Sequence, residues 1–558
     1  MSHLIAIAVG PVQEFIAAAR RTRDLWFGSY LLSEISRAVA RSVETNGGKL
    51  IFPASADAEN VANVILAELP AAEPGGVADK AEQAAKERWR EFANEAYNEA
   101  AYNKASDEIR QDIWNDQVKD VIEFYAAWVQ QTADYKADRG RLMRLLAGRK
   151  NCRDFQANRI TAPLPKSSLD GQRETVLSPE RRELARMLRL SSGEQLDVVG
   201  LVKRLGHGHQ PFPSVMRVAA DPWVRGNASR TEFSQLRSVL MNLPNDCLHR
   251  IDEKRFPQFR VFPFEGIAVY RNRHPQWAEE TNIDGGHIQH VQKLLKELPD
   301  PGPYLAVLVA DGDRMGAAIS ALTSPDANRE FSSTLAGFAN SARRIVNDHN
   351  GVLVYAGGDD VLAFLPVDKC LSCARKLHDD FGQRLAQYGQ PTLSVGLAIG
   401  HCMENLEDLL DYGRDAEKAA KKPDRDGLAV HLHKRGGAPI GVRVRARWND
   451  NLDHRLERFA NLMNEGIIPT KLPYELRAMA NLYKPWAKNG DAVIQQDLYR
   501  LIAKKTSRGP GTVRDALSEY VREMDSNRLM ILAHELLVAR QIAVAFRQAA
   551  GRGEEVPA

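Results

Sequence analysis

Two acidic clusters follow short apolar runs in the second half of the sequence. Asp311-Gly312-Asp313 comes directly after the run Tyr304 to Ala310, and Gly357-Gly358-Asp359-Asp360 separates two further apolar runs. Apolar runs of this length predict buried strands, so we expect both clusters at strand ends of one sheet. Carboxylate oxygens are preferred ligands of hard divalent cations, and two such ions can assist nucleotidyl transfer. We therefore predict that Asp311, Asp359 and Asp360 are metal ligands and catalytic residues.

A phosphate-binding turn is predicted beside these acids. The first cluster runs straight into a predicted helix, whose free N–H groups and dipole can receive triphosphate oxygens. The two glycines of the second cluster allow positive φ and close approach of the backbone to a phosphate. An ammonium group at the end of a later helix is a suitable point-charge partner for phosphate. The predicted nucleotide-binding residues are Gly312, Asp313, Arg314, Met315, Gly316, Gly357, Gly358 and Lys421.

The elements that must position these residues alternate between strands and helices from 304 to 433. This order is typical of a ferredoxin-like palm. A fainter copy lies at the N-terminus, where Leu4 to Ile16 aligns with Leu305 to Ala317 as strand, turn and helix. Gly10-Pro11 stands in that copy where the second has Asp311-Gly312, so the acids belong to the second copy alone.

We predict an α+β fold with two ferredoxin-like palm domains, a helical insertion and a C-terminal helical domain. A proline-free stretch from 79 to 146, rich in Ala, Glu, Lys and Arg, predicts helices throughout. A long helix is also expected to begin near Phe15. The predicted limits are 1–78 with part of 150–260 for the first palm, 79–220 for the helical insertion and loops, 300–437 for the second palm, and 441–558 for the C-terminal helical domain.

The composition restricts the class of protein. Among 558 residues, 75 Lys plus Arg balance 72 Asp plus Glu, which excludes a uniformly basic nucleic-acid coat. Five cysteines are too few for a disulfide framework and favour a reducing, cytoplasmic location. Because no apolar run approaches the roughly 20 residues of a bilayer span, no membrane association is predicted. Cys370 and Cys373 are interpreted as core residues, and no zinc site is predicted.

Several motifs, together with the acidic clusters, resemble those of the Cas10 family, the large palm-containing subunits of type III-B CRISPR effector complexes. The resemblance covers most of the chain. The motifs are Gly10-Pro11-Val12-Gln13-Glu14-Phe15-Ile16 with Arg23-Asp24-Leu25-Trp26, Lys166-Ser167-Ser168-Leu169-Asp170-Gly171, Gln195-Leu196-Asp197 with Gly200-Leu201-Val202-Lys203-Arg204, and Phe212-Pro213-Ser214.

This resemblance implies that the chain converts ATP into cyclic oligoadenylate messengers when its complex pairs guide RNA with target RNA. It implies partners among the other subunits of the complex and the two RNAs. Asp311, Asp359 and Asp360 match the family's metal-binding positions for two Mg²⁺ or Mn²⁺ ions, and Lys421 matches a phosphate contact. Members often carry an N-terminal HD nuclease; this chain begins at the first palm, so DNA cleavage is not expected.

Two other functions remain open from the residues. The chain can be a catalytically silent scaffold of the RNA-guided complex, although the intact acids argue against it. It can also be a palm cyclase or transferase that makes another product, such as a cyclic dinucleotide or an AMP conjugate. The tip reads Gly-Gly-Asp-Asp-Val rather than Gly-Gly-Asp-Glu-Phe, which disfavours a diguanylate cyclase, but these motifs do not encode the choice of base.

Overall fold

The structure is a computed structural model that describes residues 2–152, 164–206, 212–281, 283–436, 441–485, 491–505, 512–522 and 524–553. Its N-terminal region contains a four-stranded antiparallel sheet in the order β2-β3-β1-β4. The strands are β1 (His3–Gly10), β2 (Lys49–Phe52), β3 (Val64–Leu69) and β4 (Glu123–Gln130). With helices after the first and third strands, this is the ferredoxin-like order, as predicted for the first palm.

Helices cover both faces of this first sheet. They are α1 (Gln13–Ala17), α2 (Thr22–Thr45), α3 (Pro74–Tyr102), α4 (Gln111–Lys119) and α5 (Tyr135–Asn151). Ile5 and Ile7 pack in the core shared with α2 and α3, whereas Leu4 and Ala6 pack against α5. Because every side chain from Leu4 to Val9 is buried, the strand reads as a continuous apolar run.

Two sequence predictions in this region are wrong. Glu123–Gln130 lies in the stretch predicted as helical but is strand β4, because its Phe, Tyr, Trp and Val side chains suit a strand that pairs with β1. The helix expected from Phe15 onward is interrupted between α1 and α2. The buried ammonium of Lys203 donates hydrogen bonds to the carbonyls of Phe15 and Ala18, which satisfies the carbonyls at this break.

The region between the palms is helical. Its helices are α6 (Arg182–Leu188), α7 (Val198–Leu205), α8 (Val215–Ala219), α9 (Asp221–Asn227), α10 (Thr231–Met241), α11 (His274–Thr281) and α12 (Gly285–Lys296). α7 packs on α2 and α3, and α8 contacts the second sheet. Among the described residues, 150–260 adds no strand to the first sheet, which is complete at Gln130; the domain limits otherwise remain predictions.

The second palm contains a six-stranded sheet in the order β10-β9-β8-β5-β7-β6. Its strands are β5 (Tyr304–Gly312), β6 (Val352–Ala356), β7 (Val361–Pro366), β8 (Leu393–His401), β9 (Gly427–Leu432) and β10 (Val442–Arg447). Its helices are α13 (Met315–Ala321), α14 (Pro325–Asp348), α15 (Cys370–Leu385) and α16 (Leu406–Lys421). Strands β8, β5, β7 and β6 repeat the order of the first sheet, and β5 occupies the position that β1 holds there.

The faces of the second sheet meet different neighbours. Ala306 and Leu308 of β5 share a core with Phe338 of α14 and Phe381 of α15, where Cys370 and Cys373 are also fully buried, as predicted. The opposite face packs on α16 and joins the core of the N-terminal region. Helix α16 crosses from β8 to β9, which lie parallel, and this crossover carries Lys421 to the end of β5.

In the described part of the chain, five α-helices follow the second sheet: α17 (Leu452–Asn464), α18 (Leu472–Tyr483), α19 (Asp491–Ala503), α20 (Val513–Leu517) and α21 (Ser526–Ala549). The C-terminal helical domain was predicted from 441, but Val442–Arg447 forms the edge strand β10 because it pairs with β9. Helix α21 is long and apolar enough to cross a membrane by length and composition alone, a test that a buried core helix also passes. More than half of that stretch is buried, and α21 packs on α9, α17, α18 and β10.

The close packing of α16 on β8 should require a glycine at position 396. A Cβ at Gly396 would lie 2.1 Å from the Glu417 nitrogen and 2.4 Å from the Ala416 carbonyl carbon. We expect Gly396→Ala to lower the free energy of unfolding by about 2–3 kcal/mol, because backbone must move to admit the methyl group. Urea unfolding measures this change. The control is Gly382→Ala in α15, where an added Cβ meets no atom within 4 Å; equal stability of both variants would contradict the role of Gly396.

Candidate active site

The three predicted metal ligands converge at one edge of the second sheet. Asp311 lies at the end of β5, and Asp359 and Asp360 lie in the tight turn between β6 and β7. The side chains of Asp360 and Asp311 are hydrogen-bonded to each other, and Asp359 is close enough for the charge of Asp311 to act on it. Two carboxylates can share a hydrogen bond only if one of them is protonated. Repulsion between like charges therefore disfavours ionisation of all three carboxylates at this corner.

This crowding changes the acidity of the tip. Partial burial and the charge of Asp311 raise the pKa of Asp359 to about 6. Partial burial, the hydrogen bond to Asp311 and the charge of Asp359 raise the pKa of Asp360 well above its usual range. Burial and the charge of Asp360 also raise the pKa of Tyr355, two residues before the turn. Each of these shifts would be relieved by a cation.

Lys421 supplies an ammonium to this acidic corner. Its Nζ donates a hydrogen bond to Oδ2 of Asp311 and lies 2.6 Å from Oε1 of Glu417. Although burial opposes its charge, these hydrogen bonds to Asp311 and Glu417 raise the pKa of Lys421. Glu417 lies one helical turn before Lys421 on α16, with a side chain only 13% exposed. Lys421, predicted as a phosphate contact, is thus placed beside Asp311 in the structure.

Gly312 allows the two parts of the chain to come together. A Cβ at Gly312 would lie 2.8 Å from the Cβ of Asp359 and 2.8 Å from Cγ of Met315. Any other residue would push the tip away from the end of β5. Gly358 has a φ of 96°, a conformation that glycine adopts without strain and that closes the turn. An added Cβ at Gly357 or Gly358 would meet no atom within 4 Å, so both leave the tip open to a ligand.

Asp313 has a structural position rather than the predicted nucleotide contact through its side chain. Its carboxylate is buried, and Oδ2 accepts hydrogen bonds from Thr392 Oγ1 at 2.9 Å, Ser394 Oγ at 2.8 Å and the Asp426 nitrogen at 3.0 Å. It thereby ties the turn after β5 to β8 and to the loop before β9. These three donors engage Oδ2, whereas Oδ1 is buried and has Nε of Arg425 3.8 Å away, so the carboxylate is enclosed by the fold.

The remaining predicted residues form the turn into α13. Arg314 has left-handed backbone with a φ of 61° and precedes the helix without capping it through its side chain. Met315 is buried against the sheet, whereas Arg314 and Gly316 are exposed. The turn therefore exposes Arg314 and Gly316 to solvent directly after β5, and the helix that follows, α13, has seven residues.

The first palm reaches the tip of the second. Asn60 Nδ2 donates a hydrogen bond to the carbonyl of Ala356 at 3.2 Å, immediately before the two tip glycines. Glu59 forms an ion pair with Arg343 of α14 at 2.7 Å. The loop between β2 and β3 is therefore the part of the first palm that contacts the acidic turn.

Sequence reasoning missed Glu417, Tyr355 and Asn60. The i, i+4 spacing of Glu417 and Lys421 on one helix was a usable signal for the first. Tyr355 reads as an ordinary strand residue, and its proximity to Asp360 depends on the bulge between Leu353 and Tyr355. Asn60 lies nearly 300 residues before its partner, and nothing in its local sequence marks it.

The corner has the donor chemistry of a divalent-cation site without being preassembled as one. Its oxygens are carboxylates, the ligands that Mg²⁺ and Mn²⁺ prefer, and they are held close by the glycine at 312. Within the described ranges, no three acidic, histidine or cysteine side chains already have the arrangement of a metal cluster. Asp311 is engaged by Lys421 instead, so cation binding would require the ammonium to leave that oxygen.

Family models of CRISPR-associated proteins match both palms. Residues 304–429 match the family model described as Cas10/Cmr2, second palm domain. Residues 4–94 match the family model described as CRISPR-associated protein Cmr2, N-terminal. The chain is 27% identical over 540 residues to the CRISPR system Cmr subunit Cmr2 of Pyrococcus furiosus, across 78% of this chain and 62% of that protein. It therefore spans less than two thirds of the length of this curated relative.

Solved structures share the fold. The type III-B Cmr-beta complex in its apo state contains a chain that matches 97% of this one, with a TM-score of 0.68 and 14% identity over 82% of that chain. Cmr-beta bound to cognate target RNA gives a TM-score of 0.61 and 13% identity, with 97% and 83% of the two chains covered. At these identities the likeness is one of fold.

Asp359→Asn should stabilise the protein at neutral pH. The raised pKa of Asp359 means that the folded state holds its proton more tightly than the unfolded state, so this carboxyl lowers stability as pH rises from its usual pKa towards 6. We expect a rise in Tm of about 1–3 °C at about pH 7.5 and a smaller rise at about pH 5. Thermal unfolding of the variant against Asp116→Asn, a solvent-exposed control, measures the difference. An unchanged or lower Tm at the higher pH would contradict the proposed crowding.

Proposed function

We propose, because residues 304–429 and 4–94 match family models of Cas10/Cmr2 and Cmr2, that the second palm is the nucleotidyltransferase site of a type III-B CRISPR effector complex. The site would bind ATP and join adenylate units into cyclic oligoadenylates when the complex pairs guide RNA with target RNA. The observation that carries the proposal is the convergence of Asp311, Asp359 and Asp360 with Lys421 at one sheet edge. The other subunits and both RNAs are proposed partners.

The acids would hold two divalent cations, Mg²⁺ or Mn²⁺. Asp311 and the tip carboxylates Asp359 and Asp360 are the residues that would hold them. Bound there, the ions would neutralise the triphosphate and lower the pKa of an attacking hydroxyl. Since carboxylates bind a cation in the deprotonated form, loading would favour loss of a proton from Asp360, whose pKa is raised in the cation-free site.

We propose that the ammonium of Lys421 would move from Asp311 to a phosphate oxygen of the nucleotide. In the structure its ammonium neutralises Asp311 and Glu417. If Asp311 held a cation, the ammonium of Lys421 would be free to contact a phosphate oxygen of the nucleotide. Glu417 would keep the lysine chain extended along α16 during this exchange, because it lies one turn before Lys421. The open glycines at 357 and 358 would let the phosphates approach the tip backbone.

A silent scaffold is the alternative function, and one observation favours it. The carboxylate of Asp311 is already engaged by the ammonium of Lys421. A protein that only organises the complex would keep such a corner closed. The two functions differ in whether the wild-type complex, given labelled ATP, Mn²⁺ and target RNA, forms any nucleotide product.

Replacing both tip acids should abolish synthesis. We expect Asp359→Ala with Asp360→Ala to lower product formation from labelled ATP by about a thousandfold or more, because metal ligands are removed and no core volume is lost. RNA binding by the assembled complex should stay unchanged. Asp112→Ala with Asp116→Ala on α4 changes the net charge equally at exposed positions and serves as the control. Undiminished synthesis in the tip variant would refute this site, and no product from wild type would favour the scaffold.

The exchange by Lys421 predicts graded losses on α16. Lys421→Met should weaken the apparent affinity for ATP by about 10–100-fold, the size of one charge-assisted hydrogen bond or two. Glu417→Gln keeps the side-chain shape and should cost less than Lys421→Met. Steady-state kinetics on the assembled complex measures KM and kcat separately, with Lys418→Met, three residues earlier and exposed, as control. Equal behaviour of the variants at 418 and 421 would remove Lys421 from the mechanism.

A further inference from the structure

Helix α5 carries five exposed cations on the side of the first sheet opposite α2 and α3. This set, called here the α5 basic face, consists of Lys136, Arg141, Arg144, Arg149 and Lys150. Lys136, Arg144 and Arg141 lie within about 140° of the helix circumference, and Arg149 and Lys150 lie in the last turn. At 1.5 Å per residue the set extends about 21 Å along the helix. The acid of this helix, Asp138, is buried and accepts a hydrogen bond from Thr132 Oγ1 at 2.9 Å. The exposed face therefore keeps most of its positive charge.

The core fixes the direction in which this face points. Tyr135, Leu142 and Leu146 are buried in the cluster beneath α5, which also contains Leu4 and Val129 of the first sheet. The helix cannot rotate about its axis without exposing these side chains. Its cations are therefore held outward by packing on the sheet, at an orientation independent of the nucleotide site.

Several exposed cations on other helices of this chain pair with an acid on the same helix. Lys86 pairs with Glu82 at 2.6 Å, Arg186 with Glu183 at 2.9 Å, and Arg500 with Asp497 at 3.0 Å, each within one turn. On the α5 basic face Arg141 has such a partner, Asp138. The other four have no ion pair within the described residues. Arg141 and Arg144 are also like charges three residues apart, an arrangement that costs a few tenths of a kcal/mol in an isolated helix.

We propose that the α5 basic face binds the phosphodiester backbone of RNA. The cations are distributed along the whole helix and outnumber the exposed large apolar side chains among them, Met143 and Leu145. This composition suits a strand of repeated phosphates better than the core of a protein interface, where Lys is depleted. No aromatic side chain lies among the exposed residues of α5, so the binding would not stack bases and would be independent of sequence. The choice of RNA as the ligand rests on the proposed function in an RNA-guided complex.

The test uses the purified full-length chain and a labelled single-stranded RNA of about 30 nucleotides. Fluorescence anisotropy over a salt series gives Kd and its salt dependence, and no ATP is present. Lys136→Gln, Arg144→Gln, Arg149→Gln and Lys150→Gln together should weaken binding at least about tenfold at low salt. They should also reduce the slope of log Kd against log salt by about two to three, since each lost phosphate contact on a single strand contributes about 0.7.

A matched variant separates this face from net charge. It replaces Lys86, Lys119, Arg186 and Arg500, which pair with acids elsewhere on the surface, by Gln. This control should keep wild-type affinity, as should a charge-conserving exchange of Lys and Arg at the four α5 positions. Wild-type binding by the α5 variant, or an equal loss in the matched control, would overturn the proposal. Displacement of the RNA by polyglutamate at equal charge concentration would overturn it in favour of an acidic protein partner. None of these outcomes depends on nucleotide synthesis.

Discussion

The carboxylates of Asp311, Asp359 and Asp360 repel one another, and the strands of the second palm hold them close together despite this repulsion. Asp311 ends a strand whose neighbours are fixed on both sides by antiparallel pairing, and the tip acids follow a hairpin that cannot slip without exposing its apolar strands. The cost appears as raised pKa values of Asp359 and Asp360. A surface cluster would relax by moving apart; this one is held by the sheet and by close contact at Gly312.

The positive partner of these acids is positioned by backbone contacts at other glycines. α16 lies against β8 at Gly396 and against Val307 and Val309 of β5 at Gly413, positions where a Cβ would collide. That close approach brings Lys421 to Asp311. Asp313, although buried, contributes by tying the turn after β5 to β8 and to the loop before β9. The first palm adds the contact of Asn60 to Ala356. The positions of the tip acids and of Lys421 therefore depend on packing in both palms.

The sequence predicts the parts of this arrangement that depend on local pattern. Short apolar runs ending in acids identified β5, β6, β7 and the acidic turn, and helical spacing identified α16 with Lys421. The strand β4 was missed because its pairing with β1 is non-local, and β10 because it forms only against β9. Positions 313 and 311 hold the same residue type, but hydrogen bonds from Thr392 and Ser394 give Asp313 a structural role. Asn60 and Tyr355 reach the site only through tertiary contacts, so no spacing in the sequence predicts their positions.

Crystals of the chain soaked with ATP and Mn²⁺ test the central claim most directly, because anomalous scattering locates the metal independently of the carboxylates. The account predicts Mn²⁺ density between Asp311 and the tip acids Asp359 and Asp360, in contact with the triphosphate, with the ammonium of Lys421 moved from Asp311 to a phosphate oxygen. Triphosphate bound away from the tip, with no Mn²⁺ at these acids and Lys421 still on Asp311, would contradict it.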